Sequence, residues 1–549
     1  MTPSQSTLHG PIATNRSRIA IASGFLLLIG VLLFWGLDNY ALWDDEALNA
    51  LGAKGVLETG DTTILVDHGR NIVLYADGLL SVNLHDRSTP PLPAYITAIS
   101  FHLFGQTSLT ARLPFAIMGL LTVAALLWCA IKNTNSRAFI VTLGIALACN
   151  VSLLLYLRQS RYYAATCFFS VLVVLLYIYR DRRRLYVWLL PLASIGLFFS
   201  NYMNFMALFI AMLADYVFFE HRHRKIPLRD WLICLVPIIV VCGLACLVWN
   251  PYKTELGTSV VSRNTIWDRI MLFFWFCRDI NACEFVSYGA IIAIFGVGIW
   301  KKDTIILRGI LAIVIYMIFV VAVMPQARAM TSVGDVRYIM PIIPLLIWLS
   351  ARVITILSKN CAPFAMILAL VAFTTNVFNG GMFTKSGVAS TPIKFVKELK
   401  NSPEDPYRKT SNWINENLKT NATAWVLPRH MVFPLLFHSP QLTYAWQVPY
   451  PPVAKQYENL PRPFYKGLEL PDYIICFGPS IIEVAKFIQK NRLPYAHIQT
   501  VDVFWKDLHR PELFWRSFES IKNYNRNVEA VYVLKRVHSG PLPASRPLK

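Results

Sequence analysis

The sequence predicts a polytopic α-helical membrane protein of about eleven spans, followed by a soluble C-terminal α/β domain. Three observations carry this. Of 549 residues, 55% are hydrophobic and only 15% are charged, well under the usual quarter of a soluble chain; the mean hydropathy is +0.45. Apolar runs of 17 to 22 residues recur through the first 380 positions, each long enough to cross a hydrocarbon core about 30 Å thick. Beyond residue 380 these runs stop, and a mixed sequence rich in Pro, Lys, Trp and Tyr takes over.

Charge sets the sidedness. The formal net charge of +20 would, in a soluble chain, suggest nucleic acid as a partner. Here the basic residues cluster between apolar runs, at Arg180-Asp181-Arg182-Arg183-Arg184, His221-Arg222-His223-Arg224-Lys225 and Lys301-Lys302. That is the positive-inside pattern of cytoplasmic loops, with binding of anionic lipid or substrate as the second reading. The bilayer, not nucleic acid, is the expected partner.

The first run, Ile19 to Leu37, follows Arg16 and Arg18 and lacks an Ala-x-Ala cleavage site. It reads as a retained signal anchor rather than a signal peptide. A long external segment, 38–111, follows. Within it Pro90-Pro91-Leu92 opens an apolar stretch to Gly105, short for a span and read as an interfacial or re-entrant helix. Further spans fall near 112–131, 138–156, 163–179, 185–200, 203–219, 230–249, 283–300, 304–324, 338–357 and 361–379. With the basic loops inside, Arg158 to Tyr163, Asn250 to Ala282 and Met324 to Arg337 share the outer face with segment 38–111. Counting 92–105 as a span would invert several of those loops.

Two domains result: a transmembrane domain, 1–380, and an external α/β domain, 381–549. The second is large enough for its own core and carries strand-like runs at Ala424 to Leu427, Tyr473 to Phe477 and Ala530 to Leu534. Seven of the ten cysteines lie in apolar runs and read as small core residues. Cys277 and Cys283 share a loop and are a candidate disulfide. No Cys/His spacing suggests structural zinc.

The candidate chemistry starts with Trp43-Asp44-Asp45-Glu46, just beyond the first span. Carboxylates at a membrane boundary are costly to desolvate. They either complement a helix N-terminus or take a proton from an acceptor hydroxyl. Successive helical residues point about 100° apart, so the three cannot share one site; Asp45 is the expected base, with Asp44 and Glu46 supporting. In Arg87-Ser88-Thr89-Pro90-Pro91 the prolines form a turn into a helix, or they hold Arg87 beside a phosphate. His85 and Asp86 are weak metal-ligand candidates. Arg158-Gln159-Ser160-Arg161-Tyr162-Tyr163 and Arg337-Tyr338 are either snorkelling anchors of the interfacial belt or the lining of the site. Arg158, Arg161, Tyr163, Arg337 and Tyr338 are therefore candidate substrate or phosphate ligands, with Arg263 and Arg328 in neighbouring loops.

Five motifs together resemble membrane glycosyltransferases of the GT-C type. They are Asp45-Glu46, Pro90-Pro91-Leu92, Ala111-Arg112-Leu113-Pro114, Gln159-Ser160-Arg161-Tyr162-Tyr163 and Arg337-Tyr338 with Pro341. The closer likeness is to the branch of protein O-mannosyltransferase-like enzymes and lipid A aminoarabinose transferases, over roughly the first 345 residues. The resemblance implies a sugar donor carried on polyprenyl phosphate and an active site on the outer membrane face. It implies an inverting transfer with Asp45 as base and cationic side chains on the leaving phosphate; a divalent cation, Mg or Mn, assists in some members. The acceptor is a lipid, a glycan or a protein. Leu48-Asn49 and Thr89 stand where aminoarabinose transferases tend to carry an Arg-Tyr pair and a Lys, and Gln159 replaces a loop acid. A phosphate clamp built from Arg87 and Arg161 is then expected, and the departures leave aminoarabinose in question as the sugar. The topology fits a bacterial inner membrane with the C-terminal domain in the periplasm. A transporter or flippase of a lipid-linked glycan, which would place ionisable groups mid-span, and a non-catalytic scaffold are the alternatives.

Overall fold

The computed structural model describes residues 15–74, 81–87, 89–221, 225–249, 265–324, 333–383, 387–402, 404–452, 454–503 and 530–537. Among these, seven helices are long and apolar enough to cross a membrane, or eight if the bent pair Arg137–Cys149 with Val151–Leu157 is counted as one span. The other three expected spans fold into helices of 17, 14 and 13 residues, Arg184–Ser200, Tyr288–Lys301 and Ala362–Thr374. Each is shorter than the roughly 20 residues that cross hydrocarbon unaided. Leu92–Phe104 is also a 13-residue helix, ended by Gly105 at φ 82. The segment 250–282, expected as a loop, carries a further helix, Ile266–Ala282, started by a Thr265–Asp268 capping box. Its exposed Ile266, Trp267, Ile270, Met271 and Phe274 lie along an apolar face that the charged residues between them hid in the sequence. Cys277 and Cys283 do not form the disulfide expected of them.

The bend of 67° in the paired span has a local cause. Asn150 breaks the helix and accepts from the Leu153 amide at 3.0 Å, while its amide donates to the Phe285 carbonyl at 2.7 Å. The second half then leads directly into the Arg158–Arg161 loop. At the opposite end of the bundle Arg308 donates to Asp215 at 2.7 and 2.8 Å and to Glu220 at 2.7 Å, and Arg180 donates to Glu220 at 3.0 Å. Largely buried charges at the end of a helical bundle are favoured when paired in this way.

In the C-terminal region five strands form one sheet, in the order Thr443–Tyr444, Thr423–Leu427, Tyr473–Phe477, Ala530–Arg536, Tyr495–Asp502. The first three are parallel, and Ala530–Arg536 runs antiparallel to both its neighbours. Side chains alternate between the faces. Ile474, Cys476 and Leu534 pack on the helix Ser480–Asn491. Ile475, Phe477, Val531 and Val533 share a core with Ala47, Ala50 and Leu51. Those three belong to the helix Asp44–Thr59, which Gly60 ends at φ 80 by donating to the Val56 carbonyl. The acidic run thus opens a helix held between the bundle and the C-terminal sheet.

Candidate active site

Asp44, Asp45 and Glu46 occupy the first turn of that helix, where carboxylates complement its dipole. The helical rotation separates them. Glu46 turns inward and is fully buried. Its oxygens accept from Arg112 Nε at 2.9 Å and Nη2 at 2.5 Å, and its Oε1 also accepts from the Ser160 amide at 2.9 Å. The remaining Arg112 donors reach the carbonyls of Leu37 and Tyr40 at 2.8 Å and of Ala41 at 2.9 Å. A fully buried carboxylate held by three donors is placed to hold structure. Arg112 was visible in its motif, but nothing in the sequence gave it this partner.

Asp45 faces the other way. Its Oδ1 accepts from Arg161 Nη2 at 3.1 Å and its Oδ2 from Arg337 Nη1 at 2.8 Å. Asp44 is half-buried beside it. The Arg158–Arg161 loop is latched to the acidic helix three times: by Arg161 on Asp45, by the Ser160 amide on Glu46, and by Asn49 Nδ2 donating to Ser160 Oγ at 3.1 Å. Asn49 also donates to Thr97 at 3.0 Å, which ties in the helix Leu92–Phe104.

Aromatic rings wall the pair of arginines. Arg337 lies 5.1 Å over the Tyr338 ring and Arg161 lies 5.7 Å over Tyr162. Tyr163 is buried and meets Tyr162 and Tyr156 edge-on at 4.6 and 4.9 Å. Burial is the largest influence on Arg161 and opposes its charge, but Asp45, Tyr163 and Tyr162 together outweigh it, and its pKa is raised. The Nε–H groups of Arg161 and Arg337 are buried without a hydrogen-bond partner among the described residues. Buried guanidinium donors normally find an acceptor, so the site has two donors to spare.

The other expected ligands lie elsewhere. Arg87 grips Asp61 with both nitrogens, at 2.6 and 3.0 Å, and stacks 5.3 Å over Trp249. The expected pairing of Arg87 with Arg161 is not what the structure shows: both prongs of Arg87 are on Asp61, and their hydrogen bonds hold the Asp61 carboxyl below the usual range, whereas Arg161 shares Asp45 with Arg337. Arg158 points into the interior, with Nη1 3.4 Å from the Leu32 carbonyl. Burial and then the Arg112 charge push its pKa down to about 10, against the pull of Glu398, Glu46 and Tyr40. His85 Nδ1 stands 3.5 Å from Asp61, whereas Asp86 accepts from Thr89 Oγ1 at 2.5 Å. The two do not converge on one ion, and no three His, Cys, Asp or Glu side chains gather among the described residues. Arg263 and Arg328 lie outside the described residues.

The profile of the dolichyl-phosphate-mannose-protein mannosyltransferase family matches residues 88–249. No curated protein matches the chain. Among solved structures, the chain shares its fold with ArnT from Cupriavidus metallidurans bound to undecaprenyl phosphate. The TM-score is 0.56 at 13% identity, over 96% of this chain and 100% of that one. The apo form of the same protein gives a TM-score of 0.56 at 13% identity, over 94% and 98%. Both comparisons agree with the GT-C resemblance read from the motifs.

Proposed function

We propose that this chain is an inverting glycosyltransferase that moves a sugar from a polyprenyl-phosphate donor to a hydroxyl of a cell-envelope lipid, glycan or protein. One observation carries the reading: a carboxylate with both oxygens on guanidiniums, Asp45 between Arg161 and Arg337, in a chain with the fold of a protein crystallised with undecaprenyl phosphate.

A carboxylate engaged by two guanidiniums is charged and a weak base. A phosphate entering beside it offers those guanidiniums stronger, bidentate acceptors. The spare Nε–H donors of Arg161 and Arg337 suit the additional oxygens. As the arginines turn to the phosphate, Asp45 is freed to take the proton of the acceptor hydroxyl. The acceptor oxygen then bonds to the anomeric carbon while the bond from that carbon to the phosphate oxygen breaks, with inversion. The electron pair leaves on polyprenyl phosphate, where the two arginines stabilise the charge that develops. The proton ends on Asp45. Tyr163 and Tyr338 stand beside the arginines, and Asp44 supports the first turn.

The positive-inside pattern supports a location of Asp45 on the outer face of a bacterial inner membrane, with 381–549 as a periplasmic domain. The test is acceptor-dependent release of polyprenyl phosphate from a panel of polyprenyl-phosphate sugars, followed by mass spectrometry. Release from one donor supports the reading and names the sugar. Binding of donors with transbilayer movement and no release would favour the flippase.

A further inference from the structure

Six residues, Leu37 to Leu42, connect the first span to the acidic helix. Seven of the polar groups along them are held from outside. Arg112 takes the carbonyls of Leu37, Tyr40 and Ala41. The rest of the grip comes from residues more than 350 positions later. Tyr40 donates to Glu398 at 2.5 Å, and Arg408 donates to Asp38 at 3.3 Å. The Ala41 amide donates to Asp405 Oδ2, and the Leu42 amide donates to His438 Nε2 at 3.1 Å.

The two amide contacts matter because the helix they precede has no ordinary cap. Ser, Thr, Asp or Asn at the N-cap fixes a helix start through a side-chain hydrogen bond. The N-cap here is Trp43, which makes none. The start of the helix is fixed from the residues ahead of it instead. Asp405 is itself anchored, since its Oδ1 caps the helix Pro406–Asn417 through the Tyr407 and Arg408 amides at 2.7 and 3.1 Å. His438 closes the short helix Val432–His438, which packs into the same core as Ala47 and Leu51. Burial, followed by Arg408, Arg112 and Lys54, pushes the His438 imidazole down to about 3. It stays neutral at physiological pH, with Nε2 as an acceptor.

We propose that Asp405 and His438 are positioning residues for Asp45: the C-terminal region holds the two amides before the acidic turn and so sets where the base stands. The C-terminal region is then part of the catalytic apparatus, whatever acceptor it also meets. This rests on the transferase reading above. Asp45 lies three residues beyond Leu42, and a shift of about 1 Å at a reacting group costs up to about 100-fold in rate.

The test uses the full-length protein in nanodiscs, with wild type, His438→Leu and His438→Gln. Glutamine offers an amide oxygen to the Leu42 N–H; leucine offers nothing. Hydrogen exchange is read over 41–50, and kcat and KM are read for the active polyprenyl-phosphate sugar. His438→Leu is expected to speed local exchange and lower kcat by about 10- to 100-fold with KM for the donor held within about twofold. His438→Gln is expected to restore most of both. If His438→Leu does not fold, Asp405→Asn replaces it: that variant keeps the cap through Oδ1 and turns a donor toward the Ala41 amide. Unchanged exchange overturns the proposal, as does faster exchange with wild-type kcat. If wild type itself releases no polyprenyl phosphate, the transferase reading has failed separately, and the exchange measurement alone decides whether these residues hold the acidic turn.

Discussion

Arg337 Nη1 stands 2.8 Å from Asp45 Oδ2, across 292 positions of sequence. With Arg161 on the other oxygen, it makes Asp45 the acid of the cluster that faces cations the substrate can claim. Arg337→Ala and Arg161→Ala are therefore expected to raise KM for the lipid-linked donor by about tenfold or more, the scale of one lost charged contact. Lysine recovers only part, because it lacks the bidentate fork. Donor titration of the two alanine variants checks this; unchanged KM and unchanged kcat in both would remove them from the phosphate.

Glu46 and Arg112 predict a different phenotype. Breaking a buried ion pair by removing one partner costs about 3–5 kcal/mol, so Glu46→Ala or Arg112→Ala is expected to lower the unfolding temperature sharply. Asp45→Asn keeps an acceptor oxygen at a site with 15% exposure against 0% for Glu46, and is expected to lower it less. Thermal unfolding in detergent separates the two groups.

Arg87 is expected to act on stability and not on donor affinity, since both its prongs are on Asp61. Arg87→Ala should loosen the loop before Pro90 and leave KM for the donor within about twofold, against the tenfold expected of a phosphate ligand. A large rise in KM would return Arg87 to the clamp.

Glu398 gives a pH signature. Burial raises its pKa from 4.5 to about 7, while the Tyr40 hydroxyl and Arg158 pull the other way. A raised carboxyl pKa means that the folded state binds the proton more tightly. The resulting stability is full below about 4.5 and declines as pH rises to about 7, by an amount on the order of 3 kcal/mol. Glu398→Gln is expected to flatten the wild-type loss of stability between pH 5 and 7, read as the unfolding temperature against pH.

Much of this architecture was legible in the sequence because the strongest signals are local. Apolar runs marked most of the spans, and the 100° turn between helical neighbours already separated Asp45 from Glu46. What sequence could not supply was the partner of each charge. Arg87 and Arg161 looked alike as basic residues beside spans, and only the tertiary fold gives one to Asp61 and the other to Asp45. The helix Ile266–Ala282 was missed because Asp268, Arg269, Arg278 and Asp279 interrupt its apolar face. The grip of Asp405 and His438 on Ala41 and Leu42 spans 364 and 396 positions and leaves no mark on local pattern.

The central claim, that Asp45 takes the acceptor proton in a polyprenyl-phosphate-dependent transfer, is tested most directly by comparing wild type with Asp45→Asn. Polyprenyl phosphate released from the active donor is measured with and without acceptor. Acceptor-dependent release by wild type and a loss of at least about 100-fold in the variant, the usual scale for a positioned base, is the predicted result. Equal release by the two proteins, with equal unfolding temperatures, would contradict it.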